Sequence, residues 1–401
     1  MVAAMPYPMA KASAIRVVNM VNALVNNYDD INVELFAYEG NEPPPKHPRL
    51  VSHLVGGFNV AKAAYYALGN KLSADLRILR ALIARRRAIQ IIHCHTIEGL
   101  ALALAFKALT MNRAPICADM HGPIVPELIH YGLIPNWRPA TVSATAVEAL
   151  LLRFVGHVFA SNEGLGRMLG ERVGGHRVSV VFDYVDLERF DANRADPARV
   201  NQLRQHHKAE GTVLITYVGM FKDYQGVDFL LRAFASIAAS RSDIRLLLVG
   251  DGPCRRQYEE LIEANGLAER VVMPGLVPHD DVVNWLEISD IVVSPRVDNE
   301  ITVAGFVSQM PEYMAAGKLI VSTWVSGCGR LLRDGAGIIV APNDVEALRR
   351  GLERALALSP AEIDRCVAQA RLNVGQFTWK QGIADVYRVY RALLVTGRRS
   401  T

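Results

Sequence analysis

The chain has few cysteines and no long uninterrupted apolar run. Its five cysteines, in 401 residues, are odd in number and widely separated. That pattern argues against a disulfide framework and a cysteine-based metal site, and it indicates a reducing compartment. Charged residues interrupt each apolar stretch before it reaches the roughly 18–20 residues of a membrane-spanning helix. Because residues 1–13 also lack the pattern of a signal peptide, we expect a cytoplasmic protein.

An excess of one charge sign is also absent. The net charge is only +4, from 44 basic and 40 acidic residues, which does not indicate nucleic acid as a partner. One local exception is the segment 71–88, a predicted amphipathic helix that carries five arginines. Its predicted apolar stripe is Leu72, Leu76, Leu79 and Ile83. The arginines could contact an anionic membrane surface or form an ordinary solvated face.

The chain is rich in short apolar runs that alternate with helical patterns. Apolar residues make up 51% of the composition, which is enough for sizeable cores in two or three domains. The alternation of strand and helix in both halves predicts an α/β fold with doubly wound parallel sheets. A polar stretch at 191–210 marks a domain boundary. We expect domains at 1–187 and 188–380, followed by a C-terminal segment at 381–401.

The segment 295–323 has the pattern of an anion-binding site. A predicted strand at 290–294 precedes it, and a polar loop then leads into a helix predicted from Gly305 to Ala316. The first turn of such a helix has unpaired N–H groups and the positive end of the helix dipole. Glu312 lies in this helix, where its carboxylate could accept hydrogen bonds from sugar hydroxyls. An ordinary crossover helix with a surface glutamate explains the pattern equally well.

Two histidines end or follow strands in the first half. His121 comes after the predicted strand 115–119, at the edge where open α/β sheets bind ligands, although a single histidine can also be structural. His95 ends another predicted strand, and strand alternation places it on the face opposite to Cys94. We therefore expect no metal site there.

The loop before the first helix contains a possible ligand contact. Lys11 lies close to the predicted helix start, and Ser13 is a plausible N-cap. These residues could contact an acceptor or a phosphate, or the loop could be a plain turn.

Six short motifs of the second half occur in an order that resembles the family 4-type glycosyltransferases of the GT-B architecture. The motifs are Tyr217-Val-Gly219, Tyr224-Gln-Gly226-Val-Asp228, Leu248-Val-Gly250-Asp-Gly252-Pro253, Gly275-Leu-Val277, Ser289-Asp290-Ile-Val-Val-Ser-Pro295 and Pro311-Glu312-Tyr-Met-Ala-Ala-Gly317-Lys. The first half matches more loosely, through His121-Gly122, Glu148 and Ser161. The resemblance covers most of the chain apart from 41–70 and 123–140.

This resemblance implies a fold and a reaction class. The fold would be two Rossmann-like domains facing a cleft, with the nucleotide sugar held mainly by the second domain and the helix at 381–401 crossing back onto the first. The reaction would be retaining and metal-independent, with a nucleotide-diphosphate sugar as donor substrate and no cofactor. The lack of a prominent Asp-x-Asp motif agrees with that expectation.

The resemblance also assigns roles to residues, with three departures from the family pattern. Glu312 matches the second glutamate of a Glu-x7-Glu pattern, which is expected on the ribose hydroxyls, but Ala304 replaces the first. Met220 and Gln225 stand where the family has the two cations that clamp the diphosphate. Each charge-assisted bond that is lost is worth roughly 1.5–3 kcal/mol, and Lys222 in the same loop could supply one of them.

The complete set of predicted site residues has three parts. The predicted catalytic residues are His121, as the acceptor-side histidine that positions the donor sugar, and Glu312. The acceptor side is Lys11, Ser13 and His95. The predicted donor-binding residues are Gly219, Lys222, Gln225, Val277, Thr302, Gly305, Phe306 and Val307.

We therefore expect a hexosyltransferase-type enzyme that acts on a glycan or lipid-linked acceptor in polysaccharide or glycoconjugate biosynthesis. The helix at 71–88 would place it on the inner face of a membrane as a peripheral protein. The alternative is a non-catalytic nucleotide-sugar-binding or partner subunit, because Met220, Gln225 and Ala304 replace functional side chains. A nucleotide-sugar epimerase of the same architecture fits the block around Glu312 less well.

Overall fold

The chain divides into two compact units. The computed structural model describes residues 1–7, 12–40, 44–56, 68–130, 134–184, 187, 190, 194–303, 309–325 and 328–398. The first unit comprises Met1–Asp183 with Trp379–Thr401, and the second comprises Tyr184–Thr378.

The first unit is built on a seven-stranded parallel sheet. Its strand order is β3-β2-β1-β4-β5-β6-β7. The strands are β1 Val2–Tyr7, β2 Val33–Glu39, β3 Leu50–Val55, β4 Ile92–His95, β5 Ile116–Met120, β6 His157–Ala160 and β7 Val178–Val180. The helices are α1 Ala12–Asn27, α2 Leu68–Ala84, α3 Thr96–Thr110, α4 Ile124–His130, α5 Arg138–Arg153 and α6 Glu163–Val173.

The second unit is built on a six-stranded parallel sheet. Its strand order is β10-β9-β8-β11-β12-β13. The elements in chain order are α7 Pro197–His207, β8 Val213–Val218, α8 Val227–Ala238, β9 Ile244–Val249, α9 Arg255–Ala264, β10 Val271–Gly275, α10 Val282–Ile288, β11 Ile291–Ser294, α11 Glu300–Val303, α12 Gln309–Ala315, β12 Leu319–Thr323, α13 Cys328–Leu331, β13 Ile338–Val340, α14 Val345–Ala357 and α15 Pro360–Val374.

Several inner strands of both sheets are buried along their whole length. All residues of β1, β5, β11 and β12 are buried. A parallel sheet covered by helices on both faces requires this, because its strands have no solvated side. The predicted α/β fold with two parallel sheets is confirmed.

The last helix, α16 at Trp379–Arg398, packs within the first unit. The ring of Tyr387 stacks on that of Tyr28 in α1, with the centroids 3.8 Å apart. The Tyr390 hydroxyl lies 2.5 Å from Nδ1 of His93 in β4. These aromatic contacts connect the C-terminal helix both to α1 and to the polar centre of the sheet.

Two local predictions differ from the structure. The buried stripe of α2 is Ala74, Ile78 and Leu82, whereas Leu72 and Leu76 are 58% and 55% exposed. The helix carries two apolar stripes, and the one with the small residue Ala74 faces the sheet. The helix predicted from residue 305 is described only as α12, while the residues 300–303 form the short helix α11.

No helix in the described ranges combines the length and the apolar character that crossing a membrane requires.

Candidate active site

In the second unit, the loop between β8 and α8 is fixed against the end of β11. Gly226 has a φ of +69°, and a Cβ there would lie 2.0 Å from the carbonyl oxygen of Pro295. The backbone N–H of Val297 donates to the carbonyl of Tyr224 at 3.2 Å. A glycine is therefore required where the two segments meet, both for its left-handed conformation and for the close approach.

Two cationic side chains converge on one tyrosine in this loop. Lys222 Nζ donates to the hydroxyl of Tyr224 at 2.9 Å. The guanidinium of Arg296 lies 5.9 Å from the centre of the same ring. Arg296 is only 5% exposed, and burial lowers its pKa. Positive charge is thus concentrated at the carboxyl ends of two adjacent parallel strands, the edge where open α/β sheets bind ligands.

Glu312 lies in α12 and is paired with a histidine from the loop after β10. His279 Nε2 and Glu312 Oε1 are 3.1 Å apart, and the ring of Phe190 packs edge-on against His279 at 5.5 Å. The side chain of Glu312 is 18% exposed. The carboxylate is therefore held in place by a partner and still reaches solvent.

The other predicted donor-binding residues are described only in part. A Cβ at Gly219 would lie 2.1 Å from Nε2 of Gln309, so a larger residue here would displace the end of that side chain. Gln225 is 9% exposed, and the hydroxyl of the fully buried Thr302 accepts a hydrogen bond from the N–H of Asn299 at 2.9 Å. Val277 lies in the loop after β10 and is half-buried. The predicted site residues Gly305, Phe306 and Val307 lie outside the described residues.

In the first unit, four polar side chains meet at the carboxyl ends of β4 and β5. His93 and His95 share one face of β4, and their rings stack at 4.7 Å. Asp119 on β5 is in register with His95, and His121 follows the same strand. The adjacency of the two parallel strands is what brings residues 26 positions apart into contact.

The carboxylate of Asp119 in this cluster is paired with an arginine from helix α1. Arg16 donates through Nε and Nη2 to both oxygens of Asp119, at 3.0 and 2.9 Å, and through Nη1 to Asp183 at 2.7 Å. Arg16 and Asp119 are 2% and 0% exposed. Burial alone would raise the pKa of Asp119, but the charge of Arg16 and the neighbouring imidazoles of His93 and His95 hold it well below its usual range. The pair is therefore ionised within the core.

The histidines around this ion pair are neutral at physiological pH. Burial lowers the pKa of His95 to about 3 and that of His121 to about 4. His95 Nδ1 and His121 Nε2 lie 3.2 Å apart, and the backbone carbonyl of His121 accepts from the hydroxyl of Ser161 at 3.0 Å. The arrangement can therefore orient a neutral imidazole as a hydrogen-bond donor or acceptor.

The same cluster has the composition of a metal site. Ligand atoms of His93, His95 and Asp119 all lie within 4.8 Å of one another. Both oxygens of Asp119 are already bound by Arg16, and a cation there would lie beside the guanidinium charge. These contacts favour a hydrogen-bonded network, and the expectation of no bound metal stays a prediction.

The three residues predicted for the acceptor side differ in where they lie. Ser13 lies half-buried in the first turn of α1, His95 is fully buried in the cluster, and Lys11 lies outside the described residues. Glu148 is buried and makes an ion pair with the partly exposed Arg172.

Sequence reasoning missed four residues of these sites: Arg16, Asp119, His279 and Arg296. Asp119 ends one predicted strand and Arg296 closely follows another, a signal that could have identified them. The partners His279 and Arg16 are distant in sequence, and only the fold brings them close.

Comparison with known proteins identifies both halves of the chain. The family model described as glycosyl transferases group 1 matches residues 199–373, and the model described as glycosyltransferase family 4 matches residues 13–189. The 2-deoxystreptamine glucosyltransferase of Streptomyces kanamyceticus is 27% identical over 290 residues, which is 69% of this chain and 70% of the relative. The phosphatidyl-myo-inositol mannosyltransferase of Mycobacterium leprae is 26% identical over 315 residues, covering 77% and 75% of the two chains.

Solved structures show the same fold. The crystal structure of Anabaena HepE in complex with UDP superimposes with a TM-score of 0.71 and covers 98% of this chain and 99% of that protein. Sequence identity is 15%, so this likeness concerns the fold alone.

Proposed function

This chain is a family 4-like glycosyltransferase with the GT-B fold that uses nucleotide sugars, and we propose that it is a retaining, metal-independent enzyme acting on a glycan or lipid-linked acceptor. The retaining and metal-independent character is what the family motifs imply. The donor is the only small molecule that the proposed reaction needs besides the acceptor.

The observation that carries the proposal is the cationic group around Tyr224. Departure of a nucleoside diphosphate leaves negative charge on its phosphates, and fixed positive groups stabilise that charge in the transition state. Lys222 and Arg296 supply these positive groups here, because Met220 and Gln225 stand where the family has its two cations. Metal independence follows if these two side chains suffice.

Glu312 and His121 have separate roles in this proposal. Glu312, held by His279, accepts hydrogen bonds from the ribose of the donor. His121 donates a hydrogen bond to the donor sugar and so orients the reacting carbon. The role of His121 requires no change of protonation, because its imidazole is neutral at physiological pH.

The identity of the acceptor is proposed from the surface of α2. Its exposed Leu72 and Leu76 lie next to the exposed Arg77 and Arg80. A helix with apolar and basic side chains together on its surface suits the interface of an anionic membrane. One relative is by name a phosphatidyl-myo-inositol mannosyltransferase, which supports a lipid-linked acceptor at a membrane surface. The protein would then be peripheral on the inner membrane face.

A second candidate function is nucleotide-sugar binding without transfer. It is favoured by Met220 and Gln225, which leave the loop after β8 without the two family cations. This candidate predicts donor binding with neither transfer nor donor hydrolysis for any acceptor.

Donor hydrolysis in the presence of a chelator tests the main proposal. UDP-glucose is the first donor to try, because HepE was crystallised with UDP. We expect slow release of UDP by the wild type and a loss of at least about ten-fold in Lys222→Met and Glu312→Gln, since each removes a charge-assisted hydrogen bond. Matched controls are Lys380→Met and Glu346→Gln, which change exposed residues of the same types.

Other nucleotide sugars should be tried before a negative result is accepted. Binding without turnover for every donor and acceptor would favour the second candidate. Retention would be checked by determining the anomeric configuration of the product by NMR.

A further inference from the structure

The buried cluster of the first unit contains a chain of contacts that ends at His121. Arg16 binds both oxygens of Asp119, Asp119 Oδ2 lies 3.4 Å from His95 Nδ1, and His95 Nδ1 lies 3.2 Å from His121 Nε2. Three of these residues are at most 2% exposed, and the side chain of His121 is 10% exposed. The chain therefore leads from the core to the one member that solvent can reach.

We propose that His95, oriented by Asp119, fixes His121 in the tautomer that carries its proton on Nδ1. His95 and Asp119 are then positioning residues, and His121 is presented as a hydrogen-bond donor. This inference rests on the proposed function, in which His121 contacts the donor sugar, but the tautomer itself can be tested without activity.

Two observations decide which ring nitrogen of His95 carries the proton. Its Nδ1 faces a carboxylate oxygen at 3.4 Å, and a lone pair there would be repelled by the negative charge of Asp119. In the part of the chain that is described, His95 Nε2 has no hydrogen-bond partner. A proton on Nε2 would leave an unpaired N–H on a side chain that is 0% exposed, whereas the side chain of His121 is 10% exposed and a ligand can accept from it. The proton of His95 therefore belongs on Nδ1.

The position of the His95 proton decides the tautomer of His121. With its proton on Nδ1, His95 faces Asp119 Oδ2 at 3.4 Å and His121 Nε2 at 3.2 Å, so the latter nitrogen accepts. A neutral imidazole has one N–H, so that of His121 is on Nδ1. The pKa values of about 3 for His95 and about 4 for His121 support one proton per ring at neutral pH.

The Nδ1–H of His121 is available to donate a hydrogen bond to a ligand. Among the described residues, His121 Nδ1 is buried and finds no hydrogen-bond partner. A buried donor without a protein acceptor is costly unless a ligand or water accepts from it. A hydroxyl or phosphate oxygen of the donor is the chemical class that fits. The opposite tautomer would turn the same nitrogen into an acceptor and lose that bond.

The tautomers can be read by two-bond ¹H–¹⁵N NMR of protein labelled with ¹⁵N-histidine, with His121 assigned from His121→Asn. We expect the wild type at pH 7 to show the Nδ1–H form of both His95 and His121. An Nε2–H form of His121 in the wild type overturns the proposal without any need for a variant.

Two substitutions of His95 separate positioning from packing. His95→Leu removes the donor that faces His121, whereas in His95→Asn the side-chain amide keeps an N–H near the position of Nδ1. We expect His121 to change to the Nε2–H form in the leucine variant and to keep Nδ1–H in the asparagine variant. An unchanged tautomer in His95→Leu contradicts the proposal. His93→Leu is the matched control, because it removes a neighbouring buried imidazole that bonds Tyr390, and it should leave His121 unchanged.

Activity gives the second readout. For His95→Leu we expect kcat to fall about ten-fold or more with little change in KM for the acceptor, and we expect His95→Asn to recover most of it. Equal losses in both variants would indicate a structural role for His95 and overturn the positioning role. If the tautomers behave as expected but His121→Leu is fully active, the tautomer assignment is upheld and the proposed role of His121 in transfer is wrong.

Discussion

The two polar sites of this chain both lie at the carboxyl ends of adjacent parallel strands, β4 and β5 in one sheet and β8 and β11 in the other, but they handle charge in opposite ways. In the first unit, Arg16 and Asp119 neutralise each other in the core and the surrounding histidines are neutral. In the second unit, Lys222 and Arg296 both approach Tyr224. The first arrangement holds an imidazole in a fixed orientation, whereas the second concentrates positive charge as an anionic ligand requires. The same parallel-sheet edge can thus serve for positioning or for charge binding, depending on whether its charges are paired internally.

The largest expected effect follows from removing one charge of the internal pair. Arg16→Met leaves Asp119 ionised and uncompensated in the core, which should cost roughly 3–5 kcal/mol of stability. Urea unfolding measures this, with Arg256→Met, at a side chain that is 90% exposed, as control. A loss as small as that of the control would mean that the pair is solvated and that the contrast between the sites is wrong.

In the second unit the corresponding change should affect binding and not stability. Lys222→Met removes a charge-assisted hydrogen bond to the diphosphate, worth roughly 1.5–3 kcal/mol, or about ten-fold to a hundred-fold in donor affinity. Isothermal titration with the donor measures this, and the melting temperature of the variant should stay within a few degrees of the wild type. If the donor affinity is unchanged, Lys222 does not bind the donor.

A rescue experiment sharpens the same point. Gln225→Lys restores a cation where the family has one. If Lys222 and Arg296 already supply the charge, this change should add little to the wild type but recover most of the affinity lost in Lys222→Met. A large gain in the wild type would show instead that the site lacks charge.

The pH dependence of stability should come from the first site. Because burial lowers the pKa of His95 to about 3 and that of His121 to about 4 from 6.5, the unfolded chain binds these protons more readily. Their contribution is fully present above pH 6.5 and is lost as the pH falls toward 4. Melting temperatures of the wild type should therefore fall over this window more steeply than those of His95→Asn, which lacks one of the groups. Parallel curves would show that His95 is not buried in its neutral form.

The smallest expected effect concerns the surface of α2. Arg77→Ser and Arg80→Ser each remove a charge worth about 1 kcal/mol of attraction to anionic lipid. Co-sedimentation with vesicles containing phosphatidylglycerol should fall by about five-fold for each change, and binding should weaken as salt is raised. Arg256→Ser is the control. If both variants bind vesicles as well as the wild type does, the surface of α2 no longer supports a lipid-linked acceptor.

Periodicity predicted the fold well and the sites only in part. Strand and helix alternation identified both parallel sheets, because buried parallel strands are continuously apolar and leave a strong signal. The position of His121 after a strand and that of Glu312 within a helix could also be predicted. Their partners could not: His279 and Arg16 reach them only through tertiary contacts, which no local pattern encodes. The prediction of the buried face of α2 was wrong because the helix carries two apolar stripes, and the stripe that contains Ala74 packs against the sheet.

The most direct test of the account is equilibrium binding of nucleoside diphosphates and their sugars, without metal and with chelator, to the wild type, Lys222→Met and Glu312→Gln. We expect selective, metal-independent binding of one base by the wild type and a loss of at least about ten-fold in each variant, as the removal of one charge-assisted bond requires. Equal affinity of all three proteins, or binding only when a divalent metal is present, would contradict the claim that the cations and the carboxylate of the second unit hold the donor.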